Sequence, residues 1–210
     1  MRTVITLVRH GEVHNPDKVL YGRLPGFHLS ERGRQQAEVT ARFLRGRDVV
    51  AVFSSPLERA VQTATPIAEC FGLRVQTDPR LIESSSKFQG RQVELGPQIL
   101  KHPYTWKHLS NPFRPAWGEA YDSVAARVLA AVEAARDAYP GREVVLVSHQ
   151  LPVWTARRAL EGRRLWHRPD RRQCSLASLT SVVYEGAQVG WLDYVEPNGP
   201  ASSKPGSVGA

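Results

Sequence analysis

The sequence has little cysteine and no long hydrophobic run. Cys70 and Cys174 are its two cysteines among 210 residues, too few for a disulfide framework and typical of a reducing compartment. The first apolar run, Thr3–Val8, is too short for the core of a signal peptide, and no segment approaches the roughly 20 apolar residues of a membrane span. We therefore expect a cytoplasmic protein without membrane partners.

Motifs of metal and nucleotide chemistry are also missing. There is no GxxxxGK[ST] loop, and neither cysteine has metal-ligand spacing. His10 and His14 are four residues apart, but on a strand end and loop rather than on one helix face. His102 and His108 lack an HExxH context. The sequence therefore gives no reason to expect a metal ion or a cofactor.

The composition is that of one globular domain with a basic surface. Hydrophobic residues make up 41% of the chain and charged residues 23%, enough for one sizeable core. The formal net charge of +8 favours anionic partners such as phosphates, nucleic acid or a membrane surface. We expect a domain over residues 1–195 and a disordered tail, rich in Pro, Gly and Ser, over residues 196–210. Oligomeric state cannot be inferred from these features.

Apolar runs typical of buried strands alternate with segments of helical spacing. Strands are predicted at Thr3–Val8, Val49–Phe53, Leu73–Gln76, Val144–Ser148, Ala177–Tyr184 and Gln188–Val195. Ser30 is predicted to cap the first helix and Ser54-Ser55-Pro56 the second. Two further helices are predicted to span Glu119–Tyr139 and Leu151–Leu160. This order predicts an α/β fold: a three-layer α/β/α sandwich with a mainly parallel central sheet and an antiparallel edge strand. Residues 84–118 are read as an irregular insertion over the active site.

Polar side chains follow the predicted strands where their carboxyl ends meet, which is where ligands bind in such sheets. Arg9 and His10 end the first strand, and His149 follows the fourth. Arg59 falls in the first turn of the helix after the second strand, so its side chain can point back to the strand end. Glu83 follows the third strand and can reach the rim. Two histidines, two arginines and one carboxylate thus meet in one cleft.

This set of groups fits phosphoryl transfer. Two guanidiniums match the oxygens of a phosphoryl group, whose transfer needs positioning and charge stabilisation above all. A neutral imidazole can be the nucleophile, and a carboxylic acid can protonate the leaving oxygen and then activate water. We expect Gly11 to let the backbone turn tightly beside His10. The sequence predicts a phosphomonoester hydrolase that acts on a small phosphorylated substrate.

Three runs, LVRHGE, SSPLERAVQTA and VVLVSHQLPV, resemble the histidine phosphatase superfamily, which includes cofactor-dependent phosphoglycerate mutase. The resemblance extends over residues 3–195, and LSERGRQQA is similar to a helix start of that family. It implies that His10 is the nucleophile and Glu83 the proton donor. It also implies a phosphate pocket formed by Arg9, Arg59 and His149.

Two departures from the family pattern affect the interpretation. RHGEVHN is one residue shorter than the frequent RHGE-Thr-x-Trp-Asn, and Asn15 is carried over as a phosphate contact by its spacing to Gly22. After Glu83 the chain reads Ser-Ser-Ser-Lys-Phe-Gln-Gly, without the Tyr-Gly-rich stretch of the mutases. A phosphatase-type member is therefore favoured over a mutase.

A mutase stays open as the alternative, because it differs from a phosphatase chiefly in shielding the phosphoenzyme from water. A phosphate-binding or nucleic-acid-binding protein without activity is a weaker alternative. It rests on the arginine-rich segment, residues 157–172, which carries seven arginines near Trp154 and Trp166. Such residues suit base stacking and phosphate contacts, but no nucleic-acid motif accompanies them.

Overall fold

A computed structural model describes residues 1–91 and 118–199 of the chain. Most of the predicted insertion over residues 84–118, and residues 200–210 of the predicted tail, lie outside the described residues. The two-part division into residues 1–195 and 196–210 therefore stays a prediction.

Six strands and four α-helices make up the described chain. The strands are β1 (Arg2–Arg9), β2 (Val49–Ser54), β3 (Val75–Thr77), β4 (Glu143–Ser148), β5 (Leu179–Glu185) and β6 (Gln188–Val195). The helices are α1 (Glu31–Leu44), α2 (Glu58–Cys70), α3 (Tyr121–Ala138) and α4 (Gln150–Leu160). Short 3₁₀ turns occupy Pro79–Leu81 and Pro169–Arg171.

The strands form one mixed sheet in the order β3-β2-β4-β1-β5-β6. The pairs β2–β3, β2–β4 and β1–β4 are parallel, whereas β5 runs antiparallel to both β1 and β6. The predicted α/β fold with a mainly parallel sheet and an antiparallel edge is confirmed. Because β4 lies between β1 and β2, the carboxyl ends of these three strands are neighbours.

Helices cover both faces of the sheet, as the fully apolar central strands require. Side chains of α1 and α2 pack on one face against a core that includes Val52, Val145 and Val147. Side chains of α3 and α4 pack on the other face, against a core that includes Ile5 and Leu146. Within the described ranges, no helix is long and apolar enough to cross a membrane.

Helix starts agree with the sequence at α1 and disagree at α2. Ser30 is the N-cap of α1, and its hydroxyl accepts a hydrogen bond from the Gly33 amide at 3.0 Å. The predicted capping of α2 by Ser54-Ser55-Pro56 is wrong, because Leu57 is the N-cap and provides no side-chain hydrogen bond. The Ser55 hydroxyl has another partner, which belongs to the site described below.

Candidate active site

The centre of the site is a row of residues that directly follow three neighbouring parallel strands. His10 follows β1, Ser55 follows β2 and His149 follows β4. All three side chains are fully buried. The register of β1 with β4 pairs Arg9 with Ser148, so the two histidines that come next stand side by side. Their ring centroids are 5.1 Å apart in an edge-on arrangement.

The backbone fixes the tautomer of His10. Its Nδ1 atom lies 2.7 Å from the carbonyl oxygen of Gly11. Because a carbonyl only accepts, Nδ1 carries the proton and donates it. Its Nε2 atom then bears the lone pair, and it has no hydrogen-bond partner among the described residues. Burial, reinforced by the positive charges of Arg59 and Arg9, holds the pKa of His10 well below its usual value, so the imidazole is neutral.

Gly11 is required for space rather than for a special backbone angle. It is not among the glycines with positive φ, which corrects the expectation of a tight turn. A Cβ atom on Gly11 would lie 2.6 Å from the carbonyl oxygen of Gly33, and one on Gly33 would lie 2.0 Å from that of Glu12. The loop that carries His10 therefore packs directly on the first turn of α1, where only glycine fits on either side.

Two buried arginines supply positive charge to the site. Nη1 of Arg9 donates to the carbonyl of Cys174 at 2.7 Å, and Nη2 of Arg59 donates to the carbonyl of Gly22. The Arg59 guanidinium also lies 4.7 Å from the ring centre of Tyr21, a cation–π contact. These contacts fix one edge of each guanidinium and leave Nε of Arg9, and Nε and Nη1 of Arg59, without partners in the described chain.

His149 is oriented by Ser55. Its Nε2 atom lies 2.7 Å from the Ser55 hydroxyl, while its Nδ1 atom has no partner among residues 1–91 and 118–199. Burial is the main reason that the pKa of His149 is held well below its usual value, and the positive charge of Arg59 acts in the same direction. His149 is therefore a neutral, oriented ring beside His10.

Glu83 provides a buried carboxyl group to the site. It is 3% exposed; its Oε1 atom accepts from the Ser84 amide at 2.7 Å, and Oε2 has no partner in the described chain. Burial raises its pKa, against the opposing effects of the Ser84 amide and the nearby arginines. Nε of Arg23 holds the backbone by donating to the Glu83 carbonyl at 2.6 Å. A carboxyl group with a raised pKa can carry the proton that a general acid needs.

The polar atoms of these residues that have no partner in the described chain are of the types that a phosphoryl group would need for binding and transfer. Buried polar groups are nearly always hydrogen-bonded, so a cluster of unpaired ones indicates a binding site. The cluster contains one lone pair suited to attack phosphorus, guanidinium and imidazole donors suited to its oxygens, and one carboxyl oxygen suited to the leaving group. Its atoms are Nε2 of His10, Nε of Arg9, Nε and Nη1 of Arg59, Nδ1 of His149 and Oε2 of Glu83.

Asn15 has a different environment. Its Nδ2 atom donates to the carbonyl of Val19 at 2.8 Å, and its Oδ1 atom accepts from the Val19 amide at 3.0 Å. Both ends of the amide thus hold the loop in which they lie. A phosphate contact by Asn15 stays a prediction, because no contact of its side chain with the clustered atoms is seen.

Two side chains next to the site were not singled out from the sequence. Tyr21 lies under Arg59, and Ser55 orients His149. The signal for Ser55 was present in the SSPLERAVQTA run, but it was interpreted as a helix cap. No local pattern marks Tyr21, because its contact with Arg59 depends on how a loop folds across the strand ends.

The arginine-rich segment is largely occupied with partners within the protein. Arg157 and Arg163 pair with Glu161 at 2.9 and 3.2 Å, and Arg168 pairs with Asp170 at 2.8 Å. Trp154 is 5% exposed, so it belongs to the core and cannot serve as a stacking platform. These contacts argue against the nucleic-acid alternative. In the described part of the chain, no group of three His, Cys, Asp or Glu side chains is placed to hold a metal ion.

Comparison with known proteins assigns the family. The family model of the histidine phosphatase superfamily (branch 1) matches residues 5–196. The chain therefore belongs to the histidine phosphatase superfamily, as the three sequence runs had indicated. The predicted fold and family are confirmed, and so is the prediction of an enzyme of the histidine phosphatase type.

Three relatives span much of the chain. Rv0525 of Mycobacterium tuberculosis, described as an uncharacterised protein, is 54% identical over 195 residues, covering 93% of this chain and 96% of its own. Phosphoserine phosphatase 1 of Hydrogenobacter thermophilus is 34% identical over 167 residues, covering 75% and 76%. A 2,3-bisphosphoglycerate-dependent phosphoglycerate mutase of Thermoplasma acidophilum is 34% identical over 156 residues, covering 73% and 74%.

Two solved structures share the fold across the whole described domain. YhfR of Bacillus stearothermophilus has a TM-score of 0.77 at 26% identity and covers 89% of this chain and 94% of its own. The mycobacterial glucosyl-3-phosphoglycerate phosphatase Rv2419c has a TM-score of 0.74 at 27% identity and covers 93% and 99%. Relatives named as phosphatases thus act on small phosphorylated molecules.

Proposed function

We propose that this protein is a metal-independent phosphomonoesterase that works through a phosphohistidine on Nε2 of His10. The observation that carries the proposal is the state of that atom: it is a buried lone pair on a neutral ring, fixed by the bond from Nδ1 to Gly11. Nucleophilic catalysis needs such an activated, positioned group. The substrate is a small phosphorylated molecule.

In the first step, Nε2 of His10 attacks phosphorus in line with the leaving alcohol. The free N–H groups of Arg9 and Arg59 bind the equatorial oxygens, where charge is spread in the transition state. The neutral ring of His149 donates one further hydrogen bond from Nδ1. Glu83 in its protonated form, which burial favours by raising its pKa, gives its proton to the leaving oxygen as the P–O bond breaks.

In the second step, the now ionised Glu83 accepts a proton from water as the water oxygen attacks the phosphohistidine. The P–N bond breaks, phosphate leaves and His10 is again neutral. One carboxyl group therefore acts first as acid and then as base. At the end of the cycle Glu83 is again protonated and His10 is again neutral.

Phosphoglycerate mutase activity is the second candidate, since a mutase of Thermoplasma acidophilum is among the 34% identical relatives. The same phosphohistidine would then pass its phosphoryl group to a second alcohol. Product analysis separates the two functions: a phosphatase releases inorganic phosphate from phosphoglycerates, whereas a mutase interconverts 2- and 3-phosphoglycerate without net release.

Hydrolysis of p-nitrophenyl phosphate in the presence of EDTA tests the proposal. The wild type is expected to be active, and His10→Ala inactive. His14→Ala is the matched control, because His14 is an exposed histidine four residues away. Equal activity of His10→Ala and the wild type would contradict the proposed nucleophile, and activity lost to EDTA would contradict the metal-independent mechanism.

A further inference from the structure

Arg172, the last residue of the arginine-rich segment, is held in one place by two neutral groups. It lies between the turn Pro169–Arg171 and strand β5, and it is partly buried. Its Nε atom donates to Nε2 of His167 at 2.8 Å, and its Nη1 atom donates to Oε1 of Gln150 at 3.2 Å. The planar guanidinium is therefore held from two sides.

His167 is built to accept the hydrogen bond from Arg172. Its Nδ1 atom donates to the carbonyl of Leu165 at 2.7 Å, which leaves Nε2 as the acceptor. Burial lowers the pKa of His167 to about 4, so the ring stays neutral and does not repel the guanidinium. The ring packs against Tyr121 at 5.3 Å and edge-on to Trp154 at 5.9 Å between centroids. The support for Arg172 is therefore rigid.

Arg172 is connected to the phosphate pocket through its partner Gln150 and through the chain that leads to Cys174. Gln150 is the residue that follows His149. Two residues after Arg172, the carbonyl of Cys174 accepts the hydrogen bond from Nη1 of Arg9 at 2.7 Å. Arg172 is also close enough for its charge to lower the pKa of Glu83. It is thus a third arginine at the rim, next to the group that handles the leaving alcohol.

The charge of Arg172 is not neutralised by contact with an acid. Arg157, Arg163 and Arg168 of the same segment each pair with a carboxylate. Arg172 forms no salt bridge within residues 1–91 and 118–199, and its Nη2 has no partner there. Burying a cation without a counter-ion is costly, and here burial lowers the pKa of the guanidinium. A ligand anion would remove that cost.

We propose that Arg172 forms an anion subsite beside the phosphate pocket and that it binds a second anionic group of the substrate, a carboxylate. The free N–H groups of a guanidinium suit carboxylate oxygens. The substrate class is then a small phosphomonoester whose alcohol part carries a carboxylate. This inference rests on the proposed function, because it names the substrate class of that site, and it goes beyond it by assigning specificity to one residue.

A pair of substrates with the same carbon skeleton tests the subsite in the wild type. The kcat/KM for 3-phosphoglycerate is expected to exceed that for glycerol 3-phosphate by roughly 10- to 100-fold, the effect of one hydrogen-bonded charge pair. Fructose 1,6-bisphosphate against fructose 6-phosphate forms the second arm, in which the added anion is a phosphoryl group. No preference in either pair would overturn the subsite, and a preference only for the bisphosphate would overturn the carboxylate assignment.

Variants then assign the preference to Arg172. Arg172→Met is expected to lower kcat/KM for 3-phosphoglycerate relative to kcat/KM for p-nitrophenyl phosphate by roughly 10- to 100-fold, through KM, since p-nitrophenyl phosphate offers no second anion. Arg171→Met is the matched control, because it removes an exposed arginine from the adjacent position. An equal loss on both substrates, or an unchanged preference, would overturn the proposal.

Two further measurements keep folding and turnover separate from specificity. Arg172→Lys retains the charge and is expected to keep part of the preference, so it serves if Arg172→Met does not fold. Calorimetric binding of 3-phosphoglycerate and glycerol 3-phosphate to the wild type and to Arg172→Met needs no turnover. Weaker binding of 3-phosphoglycerate alone to the variant supports the subsite, and equal binding contradicts it. Inactivity of the wild type on p-nitrophenyl phosphate would contradict the proposed function. The calorimetric result would still test the subsite, because it does not depend on turnover.

Discussion

The hydroxyl of Ser55, just after β2, lies 2.7 Å from Nε2 of His149, just after β4. The same hydroxyl oxygen is 3.4 Å from the amide of Leu57, a weak contact in which the oxygen accepts. We infer that Ser55 donates to Nε2, which places the His149 proton on Nδ1, the atom without a partner in the described residues. A serine on one strand end thus sets the tautomer of a histidine on the next, as a hydrogen bond to one ring nitrogen generally does for the other.

Replacing Ser55 with Ala should lower kcat/KM by about 10-fold, which corresponds to one hydrogen bond of about 1.4 kcal/mol. The physical reason is that His149 loses its fixed orientation and tautomer. Ser55→Thr keeps the hydroxyl and should restore much of the rate. Ser54→Ala is the control, because the Ser54 hydroxyl donates to the Ser55 carbonyl and not to His149. Steady-state kinetics that rank Ser54→Ala with Ser55→Ala would refute this role.

Replacing Gly11 with Ala should lower kcat by roughly 100-fold, because the new Cβ meets the backbone oxygen of Gly33 at 2.6 Å and a shift of about 1 Å in a catalytic group has that effect. Overpacking should also lower the free energy of unfolding by about 1–3 kcal/mol. Denaturant titration and kinetics measure the two effects. In Gly190→Ala, far from the site in β6, the nearest atom is at 3.3 Å, so both effects should be small. Full activity of Gly11→Ala would mean that the loop can relax.

Replacing Glu83 with Gln should have an effect that depends on the leaving group. A general acid contributes about 10²- to 10⁴-fold for an alkyl phosphate, whose alkoxide leaves poorly. The first step with p-nitrophenyl phosphate should be much less affected, because p-nitrophenolate needs little protonation. Single-turnover release of the alcohol from both esters makes the comparison. An equal loss on both would show that Glu83 does not protonate the leaving oxygen.

The buried histidines should make the protein less stable as the pH falls. The pKa values of His10 and His149 are below their ordinary value in the folded state, mainly through burial. Below about pH 6.5 the unfolded chain therefore binds protons that the folded chain does not, and the free energy of unfolding falls by up to about 1.4 kcal/mol per pH unit for each group. Urea titrations between about pH 7 and 5 should show a shallower decline for His10→Gln than for the wild type. Identical slopes would contradict the lowered pKa of His10.

Glu83 acts in the opposite direction, because its pKa is raised by burial. The folded state then holds a proton that the unfolded state has lost, and stability falls as the pH rises through the folded pKa. The acid form needed for catalysis is lost over the same window. Activity should therefore decline on the alkaline side in the wild type, and Glu83→Gln should lack that part of the pH profile of kcat/KM.

Local patterns in the sequence predicted the elements that local physics controls. The apolar runs gave the central strands, because a strand covered on both faces has little choice of residue. Ser30 gave the start of α1, because its cap bond is made three residues away. The third strand was predicted two residues early, since β3 has only three residues, with no alternation to define it. The cap of α2 was misassigned because the Ser55 hydroxyl has a partner 94 positions along the chain.

The site residues divide in the same way. His10, Arg9, Arg59 and His149 follow or begin regular elements, so the topology of the sheet brings them together. Arg172 could not be selected from the seven arginines of its segment, because only the fold shows which of them contact a carboxylate. The role of Gly11 was mistaken for a turn, since the close approach of Gly33 is a tertiary contact.

Direct detection of the phosphoenzyme tests the central claim. The enzyme is mixed with a phosphomonoester, quenched in alkali, in which phosphohistidine survives, and digested for mass spectrometry. The account predicts a phosphoryl group on His10 in the wild type and in His14→Ala, and none in His10→Ala. The His14 control is needed because cleavage after Arg9 leaves His10 and His14 in one peptide. A phosphoryl group that persists in His10→Ala, or an active wild type that never carries one, would contradict the mechanism.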